Sequence, residues 1–231
     1  MKLQDTLFVI TARGGSKGLP GKNIKDLCGK PLIAYSIDVA REFVDDENIC
    51  VSTDSEDIRD VVEKYGLKVP FLRPGCLATD SASSNDVLAH AVRFYKNLGR
   101  EYKKICLLQP TSPLRSVDDV QGSLDLFSED VDMVVSVVKS HAPAVLCVDD
   151  DNGFVQLVYN KNAEGRQQLK EMYEFNGAVY VINVESLIEK GMKNFSRKVK
   201  YVMSKEHSID IDDIYDFKLV ESMMKEIQSN K

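Results

Sequence analysis

Short apolar runs alternate with amphipathic stretches along most of this 231-residue chain. LFVITA (7–12) is almost wholly apolar and reads as a buried strand entering a glycine-rich loop. PLIAYSIDVAREF (31–43) repeats its apolar positions at helical spacing, with Pro31 suited to a first helical turn. NICVST (48–53) predicts a second strand. SEDIRDVVEKYG (55–66) predicts a helix opened by Ser55 and closed by Gly66. The alternation continues through a capped helix at 83–99, a strand KICLLQ (104–109), a helix at 117–127 and a strand DMVVSVV (132–138). Between 139 and 175 it breaks into polar, irregular sequence, with HAP, DDDNG and EGRQQ in succession. AVYVIN (178–183) then resumes a strand, and a last helix is expected from Ile214. Continuous apolar strands separated by helices predict one α/β domain over 1–231, a mostly parallel sheet covered on both faces. The interruption at about 139–175 is too long for a simple connection and is expected to be an inserted arm.

Composition narrows the class. With 43% hydrophobic and 29% charged residues, the chain is ordinary for a globular protein with a sizeable core. No apolar stretch approaches the ~20 residues of a bilayer span, so no membrane partner is expected. The first apolar run is short for a signal peptide and leads straight into the glycine loop. The five cysteines are scattered and form no CxxC pair. They read as reduced, mostly buried thiols in a cytoplasmic protein. A net charge of −6 argues against a nucleic-acid partner, whose binders usually carry a basic face.

That charge is unevenly spread. From 11 to 30 there are five cations (Arg13, Lys17, Lys22, Lys25, Lys30) against Asp26 alone. Within TARGGSKGLPGKN (11–23), glycines let the backbone approach a ligand while the cations suit an anion, so a phosphate-rich ligand is expected. The stretch is not a P-loop, because five residues separate Gly15 from Gly21 and Asn23 follows Lys22. Nor is it a dinucleotide fingerprint, because Gly14 and Gly15 are adjacent. From 206 to 216 there are five acids (Glu206, Asp210, Asp212, Asp213, Asp216) and no Lys or Arg. Asp210 and Asp212 point the same way in an extended chain and suit a hard divalent cation, Mg2+. Asp213 and Asp216 suit the N-terminus of the last helix.

ARGGSKGLPGKN, LRPGCLATDSASS, LLQPTSPLR, FNGAVYVIN and SIDIDDIYDFKLVE, in this order, resemble the N-acylneuraminate cytidylyltransferases from about Leu7 to Glu221. The resemblance implies a Rossmann-like three-layer domain and a homodimer formed largely through the inserted arm. It also implies a Mg2+-dependent reaction joining CTP to a 2-keto sugar acid. By the same resemblance Arg13, Lys17 and Lys22 match the triphosphate loop and, with Asp210 and Asp212, the catalytic set. Ala12 and Asn23 match nucleotide contacts. Arg73, Ala82 and Ser84 match the cytosine-recognition segment, although Ser84 also suits a helix N-cap. Gln109, Arg166 from the arm and Tyr180 match the sugar-acid site, and Asp210 and Asp212 the metal ligands.

Arg115 is read as structural and His90 as a helix residue, while His141 stands where the arm begins. One position departs from the family: two residues before the asparagine of NGA its bacterial sialic acid members carry a basic residue, and here Glu174 stands. An acid facing an anionic substrate is repulsive, so the particular nine-carbon acid stays open. The eight-carbon 3-deoxy-manno-octulosonate enzyme is the near alternative. A metal-dependent glycosyltransferase is a more distant one.

Overall fold

The computed structural model describes residues 2–16, 18–79, 82–140, 147–149, 155–157 and 171–229. In chain order its elements are β1 (Thr6–Thr11), β2 (Asp26–Leu27), β3 (Lys30–Pro31), α1 (Leu32–Phe43), β4 (Ile49–Ser52), α2 (Glu56–Lys64), α3 (Ser84–Asn97) and β5 (Lys104–Leu108). They continue with α4 (Val117–Asp125), β6 (Met133–Lys139), β7 (Cys147–Asp149), β8 (Val155–Leu157), β9 (Tyr173–Asn183), α5 (Val184–Glu189), β10 (Lys198–Val202) and α6 (Ile214–Ser229). Six strands form one sheet in the order β10-β6-β9-β5-β1-β4. All neighbours are parallel except β9, which runs antiparallel to both β5 and β6. The α/β class and the mostly parallel sheet are as the pattern predicts.

The side-chain period of two explains the layers. Along β1, Phe8 and Ile10 join the cluster that holds Ile33 and Ile37 of α1, Ile58 of α2 and Val120 of α4. Leu7 and Val9 join the opposite cluster, with Leu88 of α3 and Leu187 of α5. Both faces are therefore apolar and covered, which is why no alternation is visible in LFVITA. A third cluster pins α6 onto the β2–β3 hairpin through Leu27, Leu32, Ile211, Phe217 and Val220. That contact holds the segment before α6 against the loop after β1.

Helix boundaries follow local chemistry. Ser55 Oγ accepts from the Ile58 amide, and Ser116 with Asp119 forms a reciprocal capping box. Such a cap contributes about 1 kcal/mol. Three expectations change. Pro31 lies just outside α1, as its N-cap, rather than in the first turn. The α3 cap is Ser83, whose Oγ accepts from the Asp86 amide, so Ser84 is free of that duty. Strand β9 begins at Tyr173, inside the stretch assigned to the arm, and pairs Tyr173 with Lys139. Strand β10 was not visible in the sequence, because KVKYV is an edge strand with lysines on its exposed face. Between β6 and β9, β7 and β8 pair with each other antiparallel.

Among the described residues no helix is long and apolar enough to cross a membrane. Of the described cysteines, Cys28, Cys50, Cys76 and Cys106 are free thiols, and Cys50 and Cys106 are buried. Burial pushes the Cys106 thiol up to about 12.

Candidate active site

Open α/β sheets bind ligands beyond the carboxyl ends of their strands, where the strand order reverses. Here that place lies between β1 and β5. Three adjoining cavities occupy it. The first, about 280 Å³, is lined by Thr11, Arg13, Arg73, Ala82, Ser84 and Gln109, among others. The second, about 420 Å³, has Arg13, Lys22, Asn23, Thr111, Asp210 and Asp212 in its wall. Gln109 and Asp210 recur in the third, about 350 Å³, with Glu174, Asn176, Tyr180 and Ser208. Gln109, just past the end of β5, lines all three. A larger cavity of about 630 Å³ lies at the other end of the sheet, beside Lys103 and Asn183. Its charges largely neutralise one another, as in the Lys96–Glu101 and Lys103–Glu129 pairs.

The glycine loop is closed by backbone and amide contacts. Asn23 is buried and its Nδ2 donates to the Arg13 carbonyl (3.2 Å), holding the two ends of the loop together. At Gly18 a Cβ would come 2.4 Å from the Asp212 carbonyl oxygen, so only glycine lets the loop approach the acidic segment this closely. Lys22 closes the same junction: its Nζ donates to the Ile211 carbonyl (2.7 Å) and lies 3.5 Å from Asp212 Oδ1.

The acidic segment is held from beneath. Ile211 is fully buried, and its amide donates to the Thr111 carbonyl (2.8 Å). In this extended stretch the flanking aspartates both line the second cavity. The Asp212 side chain is 81% exposed, whereas Asp210 Oδ1 is buried without a hydrogen-bond partner. Burial raises the Asp210 pKa, and the neighbouring Asp212 charge adds to this against the Thr111 hydroxyl and Lys22. Asp213 and Asp216 have a different duty. Asp213 Oδ1 accepts from the Tyr215 and Asp216 amides, and Asp216 Oδ2 from those of Asp212 and Asp213, fastening the start of α6.

Among the described residues no group of three or more His, Cys, Asp or Glu forms an all-protein metal cage. The aspartate pair nevertheless fits Mg2+, which takes one or two carboxylates and fills its shell with phosphate and water oxygens. A buried carboxylate oxygen with no partner is the feature that makes the fit.

A family model described as Cytidylyltransferase matches residues 7–224. The chain belongs to the cytidylyltransferase family. It is 38% identical over 221 residues to an N-acylneuraminate cytidylyltransferase of Escherichia coli O18:K1:H7, covering 92% of this chain and 50% of that protein. It spans about half the length of that relative and of the matching Streptococcus agalactiae enzymes. A CMP-N,N'-diacetyllegionaminic acid synthase of Legionella pneumophila is 34% identical, over 95% of this chain and 96% of that protein. Among solved structures, a CMP:2-keto-3-deoxy-manno-octonic acid synthetase complexed with CTP superposes with a TM-score of 0.69. At 19% identity, covering 96% of this chain and 98% of that one, this likeness speaks for the cytidylyltransferase fold alone.

Of the residues expected at the site, Arg13, Lys22, Asn23, Arg73, Ala82, Ser84, Gln109, Tyr180, Asp210 and Asp212 all line one of the three cavities. Ala12 does not: its side chain packs in the core and its amide donates to the Ser52 carbonyl, leaving Thr11 and Arg13 to line the cleft. Lys17, Arg166 and His141 lie outside the described residues. Tyr180 serves two purposes, since its ring packs in the core and burial, with the nearby Asp210 charge, raises its phenol. Glu174 does line the third cavity, and accepts a hydrogen bond from the Ser140 hydroxyl.

The structural reading of Arg115 holds. It is buried, donating to the carbonyls of Gln109 (3.1 Å) and Ala178 (2.8 Å) and to Ser36 Oγ (2.6 Å). Burial pulls its guanidinium down to about 10. His90 is likewise structural, set edge-on to Phe71.

Sequence reasoning missed Thr111, Asn176 and Ser208. Asn176 accepts from Ser136 Oγ (2.6 Å) and donates to Ser208 Oγ (2.9 Å), tying β6 and β9 to the turn before Asp210. The signal lay inside FNGAVY and SIDID, but nothing in the spacing brings the two segments together.

Proposed function

We propose that this protein transfers CMP from CTP to the anomeric hydroxyl of a nine-carbon 2-keto sugar acid and releases pyrophosphate. The single observation that carries the reading is one cleft of three adjoining cavities, with Gln109 in the wall of each. The first is sized and lined for a pyrimidine and the second is cationic and acidic at once. The third is polar, with Gln109, Asn176, Tyr180 and Ser208 in its wall. Relatives named for N-acylneuraminate, diacetyllegionaminic acid and pseudaminic acid support the acceptor class.

In this reading the sugar oxygen bonds to the α-phosphorus as the bond to the β-phosphate bridging oxygen breaks, and the hydroxyl proton passes to solvent. Arg13 and Lys22, with Lys17, hold the triphosphate and stabilise charge gathering on the departing pyrophosphate. Arg73, Ala82 and Ser84 take the base, and Gln109 and Tyr180 orient the acceptor. Asp210 and Asp212 would hold Mg2+, which when bound would supply positive charge against the phosphates. Glu174, which lines the third cavity with Asp210, suits hydroxyl and amide donors of the sugar, so the acceptor's carboxylate belongs with the cations, Arg166 among them.

A homodimer joined through the 139–175 segment, in the cytoplasm, completes the proposal; a monomer in sedimentation at micromolar concentration would remove the dimer. The main test is pyrophosphate release with CTP and Mg2+ across nine-carbon 2-keto acids, with 3-deoxy-manno-octulosonate, ATP, GTP and UTP as controls. Release with CTP and one nine-carbon acid supports the proposal. Release only with the octulosonate, or with none, rejects it.

A further inference from the structure

Asp54 has no part in the reading above, yet it stands between two of its components. Strand β4 ends at Ser52, and Asp54 follows just before the Ser55 cap of α2. Its Oδ1 accepts two hydrogen bonds, one from the Gly14 amide (3.2 Å) and one from Arg73 Nη2 (3.2 Å). Gly14 opens the phosphate loop, and Arg73 lines the first cavity. The backbone repeats the tie, because the Arg73 amide donates to the Thr53 carbonyl (2.7 Å) and Leu72 bridges Thr53. At Gly14 a Cβ would lie 3.0 Å from Ser55 Cβ, so the loop sits tight against this corner.

The Arg73 side chain is 5% exposed, and its Nε is buried without a partner. A buried guanidinium with an unused donor is costly unless something fixes it and something else completes it. Asp54 does the first. The Arg73 side chain also lines the first cavity, where cytosine N3 accepts but the uracil N3–H donates, so an Arg donor there tells the two bases apart.

We infer that Asp54 is a positioning residue for nucleotide selection: one carboxylate oxygen sets Arg73 and the first amide of the phosphate loop in register. Base and triphosphate are then read as one object, and Asp54 governs the choice of CTP while touching neither. This rests on the cytidylyl-transfer reading.

The test is Asp54→Asn, which keeps the shape and removes the charge. Calorimetry with CTP and with UTP, in the presence of Mg2+, reads it without an acceptor. Asp54→Asn is expected to lower CTP affinity about tenfold, and to erode the CTP-over-UTP preference about as much, the worth of one charge-assisted hydrogen bond. Where turnover is measurable, the acceptor KM stays within about twofold. Adding Arg73→Lys to Asp54→Asn costs less than the sum of the two alone, because contacting residues couple. A variant that melts earlier but keeps the full CTP-over-UTP preference would show Asp54 to be structural only, and overturn the inference. A wild-type protein that prefers CTP but transfers nothing would reject the transferase reading and leave Asp54 to be judged by calorimetry. A wild type without preference for CTP overturns both.

Discussion

Asp132 and Asp210, at opposite ends of the sheet, have opposite surroundings. Asp132 immediately precedes β6 and is 0% exposed. It accepts from Lys190 Nζ (2.7 Å), Ser186 Oγ (2.8 Å) and the amides of Ser196 (3.1 Å) and Arg197 (2.9 Å). Lys190, the Arg197 amide and Ser186 together hold its carboxyl well below the usual range. Asp210 lies beyond the carboxyl ends of the strands, with one oxygen buried and unpartnered. Burial and the Asp212 charge lift its carboxyl instead. Folding explains Asp132 completely: it joins the start of β6 to α5 and to the strand-leading residues Ser196 and Arg197. Folding alone does not explain Asp210. A carboxylate kept where it is disfavoured has a use that the apo fold does not supply.

The comparison is tested most severely by turnover. Asp210→Asn and Lys22→Ala are each expected to lower kcat/KM for CTP about a hundredfold or more, the usual cost of losing a preorganised charge at a phosphoryl group. Near-normal pyrophosphate release from either variant would take that residue out of the reaction. Asp132→Ala acts on the other side of the contrast. Breaking a buried pair leaves unpaired partners, so denaturant unfolding should lose about 3 kcal/mol. A smaller loss would mean that Lys190 finds water cheaply.

The pH dependence of stability separates the two aspartates by sign. Because the folded Asp132 pKa is depressed, its stabilisation is fully present above the unfolded value, about 3.9, and is lost as pH falls towards the folded one. Asp210 does the reverse: its ionisation destabilises the apo fold above the raised folded pKa, and the penalty fades as pH falls to the unfolded value. Asp210→Asn should therefore melt above wild type at neutral pH and lose that advantage in acid. Asp132→Asn should melt below wild type at neutral pH, and the gap should narrow in acid. Melting curves of both variants from neutral pH into acid check the signs. The smallest effect belongs to the exposed Lys103–Glu129 pair (2.9 Å), where Lys103→Ala should leave the melting temperature almost unchanged.

Much of this was legible before any coordinates. Strands buried on both faces announce themselves as unbroken apolar runs, so β1, β4, β5 and β6 were readable to within a residue or two. The paired aspartates of SIDID, two apart around Ile211, told of a shared direction that the buried isoleucine enforces. Strand β10 hid because an edge strand needs only Val199 and Tyr201 to pack, and its lysines mimic a loop. Ser83 and Ser84 are adjacent serines, and a one-residue difference in the cap decided which is left to line the cleft. Asp54 left no local mark, since its partners are 40 residues upstream and 19 downstream. Contacts of that kind come from strand order, and strand order is written in no single segment.

The unpartnered Asp210 oxygen is the part of the cleft whose purpose matters most. The most direct measurement is thermal melting of wild type and Asp210→Asn, each with CTP and increasing Mg2+. A ligand that binds only the folded state raises its melting temperature by mass action. The account predicts that wild type starts lower and rises with Mg2+ and CTP, while Asp210→Asn starts higher and gains little. Equal gains in both proteins would contradict it, because Asp210 would then be a half-buried carboxylate with no ion to hold.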